Sequence, residues 1–173
     1  MSLIVEDGTI VNGADTFVTV AALRAYAAKR GATLPATGSA GDAACEVLLI
    51  KAMDYIQGQE PRFKGERVFR DQDLCWPREE VVVNGFCIAS NLIPSEVKQA
   101  QMVLAIEAQA IELQPTLDAS EQRGPVTSEK VDVVEVSYAA PAVVRDRTAF
   151  AKADAFLHKL YKGGGSSLPV ARA

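Results

Sequence analysis

Apolar side chains recur along this chain at two periods, and the changes between them mark out its elements. From Ser39 to Gly58 the positions Cys45, Leu48, Leu49, Ala52, Tyr55 and Ile56 carry the spacing of a core-facing helix. Asp42, three residues after Ser39, predicts an acidic variant of the capping box, and Gly58 a stop. A shorter helix is expected between Thr19, a suitable N-cap, and Gly31, with Val20, Leu23, Tyr26 and Ala27 on its inner face. Pro94, Ser95 and Glu96 open a third. Its apolar arc (Val97, Ala100, Gln101, Leu104, Ala108 and Ile111, with Val103, Ile106 and Ala110 beside them) is broad enough to predict contacts on more than one side before Pro115 ends it. A last helix, about Thr148 to Tyr161, sets Phe150, Ala153, Phe156, Leu157 and Leu160 on one face.

Between these helices the pattern shortens to that of strands and turns. Residues 2–18 alternate brief apolar runs with Gly8, Asn12, Gly13 and Asp15, a lead-in that packs on the body or on a neighbouring subunit. Leu34 to Gly41 reads as a loop. Val81-Val82-Val83 and Phe86-Cys87-Ile88 flank Asn84-Gly85, a strong short hairpin signal. Residues 116–130 read as a polar loop. Val131 to Tyr138 reads as a strand whose alternation slips at Val133-Val134, as at a bulge or turn. Gly163-Gly164-Gly165-Ser166-Ser167 forms a flexible leash before Leu168-Pro169-Val170-Ala171-Arg172-Ala173. The expected architecture is mainly α: about four helices in a bundle over residues 1–162, a small hairpin and strand region, a long ordered connection, and an arm over 163–173.

That connection, Gly58 to Ile93, lacks helical periodicity, and connections of such length in ordered domains usually bind something. Its run from Phe63 to Arg78 holds the only Trp together with Phe63, Phe69, Lys64, Arg67, Arg70 and Arg78, and Arg62 stands just before it. Pro77 confines Trp76 to extended backbone. We read the run as a strap whose aromatic residues pin it to the helices, whose arginines face outward, and whose indole N–H seeks an acceptor. Interleaved cations and aromatics also suit a single-strand platform, with bases stacking on rings, although Glu66, Asp71 and Asp73 cancel much of the charge.

Composition narrows the chemistry. With 49% hydrophobic and 23% charged residues and a net charge of −4, the chain is an ordinary globular sequence and no polycation. No apolar run approaches the roughly 18 residues of a membrane span, and the N-terminus lacks the charge and core of a leader, which predicts an intracellular protein or one exported inside a larger assembly. Cys45, Cys75 and Cys87 are expected to be buried thiols, neither disulfide-bonded nor, with one His, a zinc site. His158 sits just outside the apolar face of its helix, as a solvent-facing or capping residue does. The Gly163–Ser167 run lacks the Lys, strand and helix of a phosphate loop. Neither a catalytic constellation nor a cofactor or metal site is expected. Glu96, Glu107, Glu112, Asp118 and Glu121 form a solvated face or, alternatively, a negative wall that DNA slides past.

Several stretches in order resemble one family: Val5-Glu6-Asp7-Gly8-Thr9, Phe63-Lys64-Gly65, Gln72-x-Leu74-x-Trp76-Pro77-Arg78, Ile93-Pro94-x-x-Val97-Lys98-Gln99-Ala100, Ser128-Glu129-Lys130-Val131 and Val136-Ser137-Tyr138. From about residue 3 to 161 the chain is similar to the head–tail connector (adaptor, or head completion) proteins of tailed bacteriophages, a group also described as DnaT-like single-stranded-DNA-binding. The resemblance implies a subunit made in the host bacterial cytoplasm that sits in the virion at the head–tail junction. There it forms a ring, commonly of twelve copies, between the portal protein and the next neck or tail protein. Packaged double-stranded DNA passes through that ring without specific recognition. On this reading Phe63, Lys64, Arg67, Phe69, Arg70, Trp76 and Arg78 meet a neighbouring copy or partner, and Glu96, Glu107 and Glu112 face the channel. Gly163, Gly164, Gly165, Leu168, Pro169, Val170 and Arg172 form an arm that docks on the portal, weak per copy and strengthened by multiplicity. A head-to-tail interface closes only at the right angle, so the free subunit is expected to be monomeric until the portal supplies it. The alternative is a replication-associated single-stranded-DNA-binding protein.

Overall fold

The first helix, α1 (Val20–Ala28), starts where Thr19 accepts the Ala22 N–H on its hydroxyl, as expected of that N-cap. The computed structural model describes residues 3–114, 126–128, 137–138 and 150–163. α2 (Ser39–Gly58) buries Cys45, Leu48, Leu49, Ala52, Met53, Tyr55 and Ile56, the stripe that the spacing predicts. Its capping box does not form. Gly38 is the N-cap, without a side-chain bond, and the Asp42 carboxylate turns to the Arg24 guanidinium of α1 at 2.6 Å. An arginine across the helix pair outcompetes the local backbone for that charge.

α3 (Ser95–Glu107) buries Val97 and the unbroken run Ala100 to Ala105, and packs against α1, α2 and α4 (Ala151–Leu157). The breadth of its apolar arc is thereby explained. It ends earlier than its pattern suggests: Ala108 is the C-cap, and Ile111, placed on the buried face by periodicity, is exposed. α4 is likewise shorter than expected, and His158–Leu160 tighten into a 3-10 turn.

The lead-in packs on the helices. Thr16, Phe17 and Val18 are buried, and the Gln101 side chain of α3 ties them down. Its carbonyl oxygen accepts the Phe17 N–H at 3.0 Å, while its amide donates to Thr16 Oγ1 at 2.8 Å and to the Leu49 carbonyl at 3.2 Å. The Glu6 carboxylate, 3% exposed, accepts the N–H groups of Gly8, Ile10 and Val11, closing the first loop around an anion that apolar periodicity could not flag.

Within the long connection, Glu60–Arg62 form a 3-10 turn, and β1 (Glu66–Arg67) pairs antiparallel with β2 (Arg78–Glu79). Gly65 permits this approach: its φ is +66°, and a Cβ there would lie 2.0 Å from the Glu79 carbonyl oxygen. β3 (Val82–Val83) and β4 (Phe86–Cys87) form the expected hairpin, with positive φ at Asn84 and Gly85 as a type I′ turn needs. Cys87 on β4 is exposed, against the expectation of three buried thiols, because Phe86 and Cys87, which point to opposite faces of the two-residue strand, are both left uncovered.

Residues 114–149 cluster as a unit of their own, in which β5 (Val126–Ser128) pairs antiparallel with β6 (Ser137–Tyr138). A strand at 126–128 corrects the loop expected there. The slip expected at Val133-Val134 lies outside the described residues.

Gln101 is the polar keystone of the helical unit. Replacing it with Leu strands the Phe17 N–H in the core, so Q101L should destabilise the protein by about 2–3 kcal/mol, read as a lower urea midpoint at unchanged slope.

Candidate functional site

The strap is built on one carboxylate. Glu60, from the 3-10 turn after α2, takes both Arg67 and Arg78: Arg67 Nη2 donates to Oε2 at 2.6 Å, and Arg78 Nη1 reaches Oε1 at 3.4 Å. Arg78, 5% exposed, spends its other donors on the carbonyls of Lys64 (2.9 Å), Gly65 (2.7 Å) and Cys75 (3.3 Å). Arg67 Nη1 donates to the Gln72 carbonyl at 2.8 Å. The expectation that the strap's arginines face outward therefore fails for these two, whose guanidinium groups replace the backbone ladder that a two-residue strand pair cannot supply. The Arg67 hydrogen bond, with the charges of Arg67 and Arg78 behind it, holds the Glu60 carboxyl below its ordinary range.

Phe63 and Trp76 are fully buried, with their rings edge-on at 5.8 Å, so both pin the strap and neither offers a face to a base or a partner. The indole N–H finds no hydrogen-bond partner among the described residues, contrary to expectation. Gln72, which could have served, gives its amide to the carbonyls of Leu74 and Pro77. Cys75 is buried beside them, and burial, with Glu60 nearby, pushes its thiol far above the usual range, which makes it a packing residue. Of the predicted interface set, Phe69 and Arg70 are exposed and Lys64 is half-buried.

The structure brings together a cationic seam that the sequence kept apart. Phe63 and Tyr161 form an isolated antiparallel bridge, closed by Lys64 N–H to the Leu160 carbonyl at 2.8 Å and Lys162 N–H to the Arg62 carbonyl at 2.7 Å. Four cations, Arg62, Lys64, Lys159 and Lys162, are thereby gathered from segments about a hundred residues apart. Among the described residues none of them pairs with a carboxylate. The Lys64 and Lys162 ammonium groups donate only to the carbonyls of Lys159 (2.8 Å) and Pro61 (3.4 Å). Arg62 lies over the Tyr161 ring, with Cζ 4.0 Å from its centroid, and donates to Gln59 Oε1 at 2.8 Å. His158 is exposed beside them, and its Nδ1 donates to the Ala155 carbonyl at 2.8 Å, the capping role expected of it. Lys159 and Lys162 are missed by sequence reasoning because only the Phe63–Tyr161 bridge makes them neighbours of the strap.

The acids expected along a channel are separated and largely answered. Glu96 stands at the start of α3 and accepts from Ser95 Oγ, Glu107 at its end pairs with Lys152 at 3.5 Å, and Glu112 pairs with Lys51 at 3.1 Å. Of the expected arm, Gly163 is described, with φ +74°, whereas Gly164, Gly165, Leu168, Pro169, Val170 and Arg172 lie outside the described residues. No group of three or more His, Cys, Asp or Glu among the described residues could hold a metal ion, and no described helix is long and apolar enough to cross a membrane.

The profile of the family described as "Putative DnaT-like ssDNA binding protein" matches residues 1–173. No curated protein and no solved structure matches the chain.

Because the folded-state acidity of Glu60 is raised above that of an unfolded carboxylate, its contribution is present above about pH 4.3 and is lost as pH falls through the lower folded value. E60Q should remove that acid-side slope and lower stability at neutral pH by about 3 kcal/mol, since Arg78 stays buried without its anion. Chemical denaturation between pH 3 and 7 measures both.

Proposed function

We propose that this chain, which belongs to the DnaT-like ssDNA-binding family, binds single-stranded DNA through the seam of Arg62, Lys64, Lys159 and Lys162. The observation that carries this reading is the set of four cations without carboxylate partners among the described residues, on a chain of net charge −4. In such a protein a basic cluster without local counter-charge is the surface whose side chains can displace the counterions condensed on the phosphates. Screening confines the effect of the remaining acids to about 8–10 Å, so a local patch suffices. Arg67 and Arg78, committed to Glu60, shape the strap that presents the seam and make no phosphate contact. Binding is sequence-independent, because backbone contacts carry no base information.

A labelled oligonucleotide titrated at several salt concentrations tests this. With four cations engaged, log K should fall against log salt with a slope of about −3, at about 0.7 per phosphate on a single strand. K159E/K162E should flatten that slope by about 1.5 to 2 and weaken binding at least about tenfold. Absence of binding by the natural chain at low salt removes the reading.

A second reading, a subunit of a phage head–tail connector ring between portal and neck, is favoured by the hairpin. Phe86 at 78% exposed, Val82 at 45% and, just beyond the hairpin, Leu92 at 51% leave apolar surface that a neighbouring copy would cover. On that reading the free chain is monomeric, and rings appear in electron micrographs only when portal protein is added. F86D should abolish the rings and leave oligonucleotide binding intact; a natural chain that forms no complex with portal protein sinks this reading.

A further inference from the structure

Resting on the single-strand reading above, we propose that Arg62 is the residue that distinguishes unpaired bases from duplex, by offering its guanidinium as a platform on which one base stacks. The Trp76 ring packs edge-on against Phe63 at 5.8 Å, Phe63 lies tilted on Tyr161 at 5.3 Å, and the Arg62 guanidinium covers Tyr161 at 4.0 Å. Three buried rings thus form a column that ends in one exposed cation. Trp76, Phe63 and Tyr161 cannot themselves receive a base, but together they make a rigid footing for the group that can.

Three further features set Arg62 apart from Arg67 and Arg78. Its Nη1 is fixed by the side chain of Gln59, itself 4% exposed, so the guanidinium is held in place without a solvent-borne partner. No carboxylate among the described residues competes for it, in contrast to Arg67 and Arg78 on Glu60. Its backbone is locked by the Lys162 N–H bond to its carbonyl, and Lys64 stands two residues along, so two further cations for phosphates belong to the same bridge. A guanidinium stacks on π-faces as well as pairing with anions, and an ammonium does only the second. In a duplex the base faces are occupied by one another, whereas a single strand can splay one base onto a platform.

The test separates plane from charge. R62K keeps the cation and removes the plane. It should weaken binding of a single-stranded oligonucleotide about five- to tenfold. Its affinity for an abasic strand of equal length, or for duplex, should stay within about twofold, and the salt slope should not change. The natural chain should prefer the base-bearing strand over the abasic one by the same factor, and R62K should have lost that preference. Equal weakening on both strands, or no weakening on either, makes Arg62 at most one cation among four and overturns the proposal while leaving the binding reading in place. If the natural chain binds neither strand at low salt, both fall together. Trp76 fluorescence, from a residue buried in both proteins, verifies that the column itself is intact in R62K.

Discussion

A single carboxylate, Glu60, decides the shape of the region around which the surface is organised. The connection between α2 and α3 has strands of two residues each, and two paired residues cannot hold a chain in place through backbone bonds alone. What holds it is a pair of arginines, one in each strand and directly opposite one another, drawn to the same anion. Like charges opposite one another across a strand pair repel, and Glu60 turns that repulsion into a clamp. With the clamp in place, Phe63 and Trp76 lie inward, Phe63 bridges to Tyr161, and the basic side chains of two distant segments share one edge.

The arrangement separates two jobs that composition alone would merge. Arginines that look like ligand-binding groups in the sequence serve as internal struts, with their donors consumed by carbonyls and by Glu60. The cations gathered at the seam are three lysines and one arginine, none of them paired with a carboxylate among the described residues. Free charge on an acidic protein thus marks a surface more informatively than the count of basic residues does. The same distinction explains why buried rings matter to an exposed edge: they fix where its members stand.

Most of the helical framework was legible beforehand, because the stripes of α2 and α3 and the Thr19 cap are local signals. The Asn84-Gly85 hairpin was equally plain, since its turn demands residues that tolerate positive φ. What escaped was everything set by competition between partners. Asp42 had a plausible local role and took a distant arginine, Ile111 continued a periodicity that its helix did not, and Arg78 carried a charge that burial usually forbids. Glu6 gave no sign at all, because a carboxylate that gathers backbone N–H groups leaves no periodic trace. The seam was illegible for a similar reason: Arg62 and Lys162 meet across one bridge that no pattern of spacing encodes.

The three thiols end in very different surroundings. Cys45 and Cys75 are sealed in the core, and Cys87 stands open on the outer face of the hairpin, across from Val82. A maleimide dye offered to the folded chain therefore has one address, with no cysteine to remove first. A label there rides on the exposed apolar hairpin, so its brightness and polarisation would report the arrival of any neighbour on that face in real time.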